Sequence, residues 1–206
     1  MAKISFPDFW KYYKGTPNQM EAIVLLESQL PVSLLSDDST WVKKYREPEP
    51  VPDSALPPQG VSIICEFEGF RANVYNDGMN VATIGYGSTF YLDGRKVAWG
   101  DPAISEPVAR EMMKAIAEKN FWNVIRCSIP YWNEMNDNQR STLLSFSYNL
   151  GAYFYGSSGF NTISKCLSDK RWNHVPEALM LYVNPGSSVE AGLRRRRKAE
   201  GDLWMA

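Results

Sequence analysis

The run VYNDGMNVATIGYGST, residues 74–89, alternates as a strand must and is folded back on itself by Asn76-Asp77-Gly78. A turn of that chemistry between two alternating halves predicts a small hairpin. Gly85 and Gly87, either side of Tyr86, predict tight bends or close backbone approach. Ahead of the hairpin, VSIICEFEGF repeats apolar residues at a helical period, with Glu68 in the last turn and Gly69 weakening the helix there. Behind it the pattern is helical almost to the end. One small sheet beside a long helical remainder predicts an α+β fold.

In that remainder SEPVAREMMKAIAEKNFWNVIR reads as one long amphipathic helix capped by Ser105. NDNQRSTLLSFSYNLG starts at Asn136 or Asp137 and stops at Gly151. SSGFNTISKCLSDK, WNHVPEALMLYV and SSVEAGLRRRRKAEGDLWM supply three more helices. Residues 1–56 differ in character. They hold an aromatic, basic start and then one amphipathic helix, TPNQMEAIVLLESQLP, capped by Thr16 and ended by Pro31. The proline-rich REPEPVPDSALPPQG predicts a semi-rigid linker at about residues 47–59. The expected organisation is a helical appendage over residues 1–56 and a main domain over residues 57–206.

Several functions are disfavoured at once. With 22 basic against 23 acidic residues the net charge is -1, which argues against nucleic-acid binding by bulk charge. Cys65, Cys127 and Cys166 are too sparse for a disulfide scaffold or a zinc site and are expected in the interior as free thiols. His174 stands alone, which removes histidine-based metal clusters and leaves little room for a Ser-His-Asp triad. No stretch approaches the ~20 apolar residues of a membrane span. The start, MAKISFPDFWKYYKG, lacks an apolar run followed by a cleavage site, so a cleavable signal is not expected.

The hairpin region carries two carboxyls in different settings. Glu68 ends a helix beside Ile63, Ile64, Phe67 and Phe70, and apolar enclosure would help it keep a proton, as a general acid must. Asp77 sits in a polar turn, where a carboxyl ionises. Thr83 is expected on the next strand, placed to hold a water beside Asp77. Acid on one side, base and water on the other, is the arrangement of an inverting glycosidase.

The run E-G-F-R-x-x-x-Y-x-D-x-x-x-x-x-T-I-G-Y-G, residues 68–87, strongly resembles the phage-type lysozymes, glycoside hydrolase family 24. Two more blocks, NDNQRSTLLSFSYNLGA and AGLRRRRKAEGDLW, resemble that family's phenylalanine-bearing helix and its C-terminal helix, and they come in family order. The resemblance spans about residues 60–206. It implies a lysozyme-like fold, catalysis by Glu68, Asp77 and Thr83, and an arginine of the last helix approaching Glu68, either Arg195 or Arg196. One position departs: Ser88 stands where the family usually has histidine, which bears on local stability and pH response rather than on bond cleavage.

Sugars stack their C–H faces on aromatic rings, and Tyr86 and Tyr148, beside the best motif blocks, are the expected substrate-binding rings. The resemblance implies an endolysin-like muramidase. It would hydrolyse the β-1,4 bond between N-acetylmuramic acid and N-acetylglucosamine in peptidoglycan glycan strands, as a monomer, without metal or cofactor. It would be made in the host cytoplasm and released to the wall through a holin-type pore. A non-catalytic peptidoglycan-binding protein on the same fold, or a lytic transglycosylase, are the alternatives.

Overall fold

The computed structural model describes residues 55–206, and the readings made for residues 1–54 lie outside the described residues. Helix α1 (Pro58–Glu68) begins on Pro57 and Pro58, where a missing N–H costs no helical bond. Pro57 is buried and Leu56 packs on the core, so the expected linker ends sooner than residue 59. Gly60 allows α1 a close approach to its neighbour: a Cβ there would stand 3.1 Å from the Leu144 side chain and 3.2 Å from the Ser141 Cα.

Gly69 turns the chain out of α1 with φ +73°. Strands β1 (Arg71–Asn76) and β2 (Ala82–Gly85) then pair antiparallel, with Tyr75 opposite Thr83 and Asn76 opposite Ala82. The hairpin is as expected, but all four residues of β2 are buried rather than alternate ones. The cause is helix α2 (Glu106–Ala117), which lies on that strand. Gly85 makes the approach possible, since with φ +67° any Cβ would be strained and would sit 2.9 Å from the Ala109 Cβ. Ala82, Ile84, Val97 and Met112 close a small second core there.

The helix expected over residues 105–126 is interrupted. A π-helical turn at Glu118–Trp122 separates α2 from α3 (Asn123–Ser128). The wider turn re-phases the apolar face, so that Trp122 and Ile125 are both buried, Trp122 edge-on to Trp132 at 5.1 Å. Ser105 occupies the cap position of α2, but its side chain makes no capping bond. Cys65 and Cys166 are buried, whereas Cys127 on α3 is exposed, which corrects the interior placement expected for it.

Helix α4 (Asp137–Leu150) is the centre of the fold. Of the two capping candidates Asn136 is the one used: it accepts from the Gln139 N–H at 2.9 Å while the Gln139 side chain accepts from its own N–H at 3.0 Å. Gly151 ends the helix as expected, with φ +105°. Leu143, Leu144 and Phe146 have no exposure, and α1 packs on the same helix. Helices α5 (Asn161–Ser168) and α6 (Val175–Leu179) follow. The second is shorter than WNHVPEALMLYV predicts, being preceded by a separate 3-10 turn at Trp172–His174. Helix α7 (Glu190–Met205) lies against α4 and α6, and the architecture is the expected α+β.

Candidate active site

Glu68 is the last residue of α1, so the same glycine that ends the helix frees its side chain from the helical surface. Its surroundings are not the apolar enclosure expected. Ile63 and Ile64 turn into the core, and Phe70 is 37% exposed, with its ring 5.8 Å from that of Tyr86. The group that meets Glu68 is a cation: Arg196 Nη1 donates to Glu68 Oε1 at 2.8 Å. The Glu68 side chain keeps 27% of its exposure, and its Oε2 makes no hydrogen bond among the described residues.

The arginine run divides as helical geometry demands, since successive residues rotate by about 100°. Arg194 is exposed and pairs with Glu190 at 2.7 Å. Arg195 is exposed, its guanidinium 5.4 Å from the centre of the Phe67 ring. Arg196 is 4% exposed and takes Glu68; of the two expected orienting arginines it is the one in contact. Arg197 has no exposure, lies 4.9 Å over the Phe146 ring and donates to Asn149 Oδ1 at 3.0 Å.

Neither Arg197 nor Glu200 was expected at the site. Glu200 is buried, and its Oε1 accepts from Ser145 Oγ at 2.7 Å, Arg197 Nη2 at 3.1 Å and Arg196 Nε at 3.3 Å. Its Oε2 lies 2.9 Å from Arg197 Nε but off the N–H direction, an ion pair rather than a hydrogen bond. Burial pushes Arg197 down to about 10 against the opposing pull of Glu200, which leaves it cationic at neutral pH. Burial likewise pushes the Glu200 carboxyl up, and Arg197, Ser145 and Arg196 oppose that rise. The signal for Glu200 was present in the sequence, three and four residues after the two buried arginines, since a buried arginine needs a carboxylate.

Asp77 and Thr83 are knotted together through Val81. Asp77 Oδ1 accepts from the N–H groups of Met79 at 2.8 Å and Val81 at 3.1 Å. The Val81 carbonyl accepts in turn from the Asp77 N–H at 3.4 Å and from Thr83 Oγ1 at 3.1 Å. Asp77 Oδ2 is left without a hydrogen bond among the described residues. Thr83 is 3% exposed, on the buried strand, and its hydroxyl proton is already donated; what it retains is an acceptor.

Tyr75 lies on β1, between Glu68 and Asp77 in the chain. It stands opposite Thr83 and two residues before Asp77, with the Arg71 guanidinium 4.6 Å over its ring. Burial pushes its phenol up, Arg71 opposes the rise, and Glu68 and Asp77 both add to it. The alternation of β1 could have pointed to Tyr75.

The two rings expected to bind substrate part company. Tyr148 is half-buried, 4.9 Å from Phe121; burial and then the nearby Glu68 charge push its phenol up, with Arg196 opposing. Tyr86 is 3% exposed in the main core, and its hydroxyl donates to Glu106 Oε1 at 2.7 Å, so it packs the fold instead of lining a groove. Ser88 is fully buried, paired to Ile84 through its backbone at 2.9 Å, with no hydrogen-bond partner for its hydroxyl among the described residues. Among the described residues no group of three His, Cys, Asp or Glu side chains could share a metal ion.

Comparison with known proteins bears on this geometry. The family model described as phage lysozyme matches residues 65–200, a span that holds Glu68, Asp77, Thr83 and Arg196. The endolysin of Salmonella phage P22 is 29% identical over 139 residues, covering 68% of this chain and 90% of that protein. The SAR-endolysin of Haemophilus phage HP1 is 27% identical over 158 residues, covering 72% and 80% respectively. Among solved structures, the endolysin from Escherichia coli O157:H7 phage FAHEc1 superposes with a TM-score of 0.62 at 27% identity, over 73% of this chain and 92% of that one.

Proposed function

This chain belongs to the phage lysozyme family, and from that premise we propose that Glu68, Asp77 and Thr83 divide the cleavage of a glycosidic bond between them. The protein is a lysozyme-type glycoside hydrolase, an endolysin-like muramidase whose substrate is peptidoglycan. Its bond is the β-1,4 link between N-acetylmuramic acid and N-acetylglucosamine.

Glu68 is the general acid. Arg196 occupies Oε1, so the proton delivered to the leaving oxygen sits on Oε2, the oxygen without a partner among the described residues. Asp77 is the base. Its Oδ1 is committed to loop amides and fixes the carboxyl, while Oδ2 accepts a proton from the attacking water. Thr83, held by the same Val81 carbonyl, offers that water a second acceptor. Attack from the Asp77 side inverts the anomeric carbon. Tyr148, half-buried against Phe121, is the aromatic surface for a sugar ring. The observation that carries this reading is that Arg196 fixes Glu68 at 2.8 Å while Asp77 and Thr83 are bound to one residue, Val81, on the hairpin, each carboxyl keeping one oxygen without a partner among the described residues.

Product analysis tests it. Purified sacculi digested with the protein should release muropeptides with free reducing ends, and NMR of the fresh product should find the inverted anomer. Release of 1,6-anhydromuropeptides would make the enzyme a transglycosylase. Among the described residues no helix is long and apolar enough to cross a membrane, and the route to the wall proposed here is a holin-type pore. Cells expressing the chain should then stay intact until chloroform breaches the membrane.

A further inference from the structure

Four charged side chains form one path behind the acid: Glu68, Arg196, Glu200 and Arg197, two of each sign. Three of them are buried, with 4% exposure or less, and a buried charge is tolerable only when compensated. Every nitrogen of Arg196 is engaged: Nη1 donates to Glu68, Nε to Glu200, and Nη2 to the Ser145 carbonyl at 3.1 Å and to Ser145 Oγ at 3.3 Å. That fixes the plane of the guanidinium, and with it the direction from which Glu68 is held. Ser145 closes the loop by donating its own proton to Glu200. Thr142 Oγ1 donates to the Glu200 carbonyl at 3.0 Å, which pins α7 to α4 at this level.

An unshared guanidinium beside a general acid works against it, because a nearby cation favours the ionised form and the acid has to carry a proton. Glu200 supplies the missing counter-charge from the far side of Arg196. We propose that Glu200, fully buried and not bonded to Glu68 itself, is a positioning residue of the reaction: it aims Arg196 and takes up part of its charge, so that Glu68 is oriented yet still able to carry its proton. This rests on the reading of Glu68 as the acid. The titratable and charged groups around the path are Glu68 and Cys65 from α1, Tyr75 from β1, Tyr148 from α4, and Arg196 and Arg197 from α7.

The test is Glu200→Gln, which keeps side-chain volume and an acceptor for Ser145 but removes the charge. On soluble glycan strands freed of stem peptides, the alkaline limb of kcat/KM should move to lower pH by about one unit, with activity at neutral pH down about tenfold. KM should not change, since the residue makes no substrate contact. Glu200→Asp keeps the charge at a greater distance and should give a smaller shift in the same direction. A lowered Tm with an unmoved limb in Glu200→Gln would overturn the proposal, leaving Glu200 a structural residue only. If Glu200→Gln does not fold, judged by far-UV circular dichroism, Glu200→Asp decides by the same limb. Glu68→Gln is measured in parallel. Inactivity of that variant at every pH, with the Glu200→Gln limb unmoved, sinks the inference alone, whereas native activity in Glu68→Gln sinks the assignment of the acid itself.

Discussion

Glu68→Gln should leave the protein folded and unable to lyse chloroform-treated Gram-negative cells. The amide oxygen of glutamine can still accept the Arg196 bond now made at 2.8 Å, so the side chain keeps its place. What it loses is the ability to give a proton to the leaving sugar, and loss of a general acid costs about 10²–10⁴-fold. The expected drop is at the upper end of that range, because no second carboxyl holds the Glu68 position. Asp77→Asn should cost less, about 10–100-fold, since the amide oxygen preserves the bonds from the Met79 and Val81 N–H groups and substrate placement survives. Turbidity clearing together with soluble muropeptide release measures both. A Glu68→Gln protein that cleared cells at the native rate would remove Glu68 from the mechanism.

Phe146→Ala should produce the largest loss of stability. Phe146 has no exposure, and its ring meets Phe154 at 4.9 Å, Tyr182 at 5.2 Å and Phe160 at 6.2 Å, each close to edge-on. Truncating a buried phenylalanine costs about 3–5 kcal/mol through lost transfer energy and the cavity left behind. For a chain of this size that is a fall in Tm of roughly 10 °C. The ring also carries the Arg197 guanidinium on its face at 4.9 Å, so the variant should lose activity beyond what unfolding explains. Thermal and urea denaturation give the stability; assays well below the lowered Tm isolate the second effect. A stability loss under about 1 kcal/mol would mean that Phe154, Phe160 and Tyr182 collapse into the space, and that the cluster is less rigid than its geometry implies.

Much of the site was legible because its parts are local. Gly69 and Gly85 occupy positions where the backbone turns into the left-handed region, and both could be read from the bare sequence. Asn76-Asp77-Gly78 makes a turn whose amides bind their own side chains, two and four residues on, so no distant partner was needed to predict it. The cap at Asn136 is likewise a matter of three residues. The interrupted helix at Glu118–Trp122 was not legible, because its cause is the demand of Trp122 and Ile125 for one buried face, set by Trp132 further along the chain. The expected apolar shield of Glu68 failed for a similar reason: nearness in sequence put Ile63 and Ile64 beside it, but both are buried in the core, and the group that meets the carboxyl is Arg196.

From the chain alone came the spacing of Glu68, Asp77 and Thr83, the hairpin that carries two of them, both ends of α4, and the α+β architecture. Tertiary structure alone decided that Arg196 and not Arg195 reaches Glu68, that Glu200 pairs with Arg196 from behind, and that Tyr86 packs inside while Tyr148 is half-buried against Phe121. The Arg196 contact joins residues 128 positions apart, and a rotation of one residue about α7 would have chosen another arginine. Periodicity and turn chemistry are written within a few residues. The angle at which one helix presents its face to another is settled only when the whole core is packed.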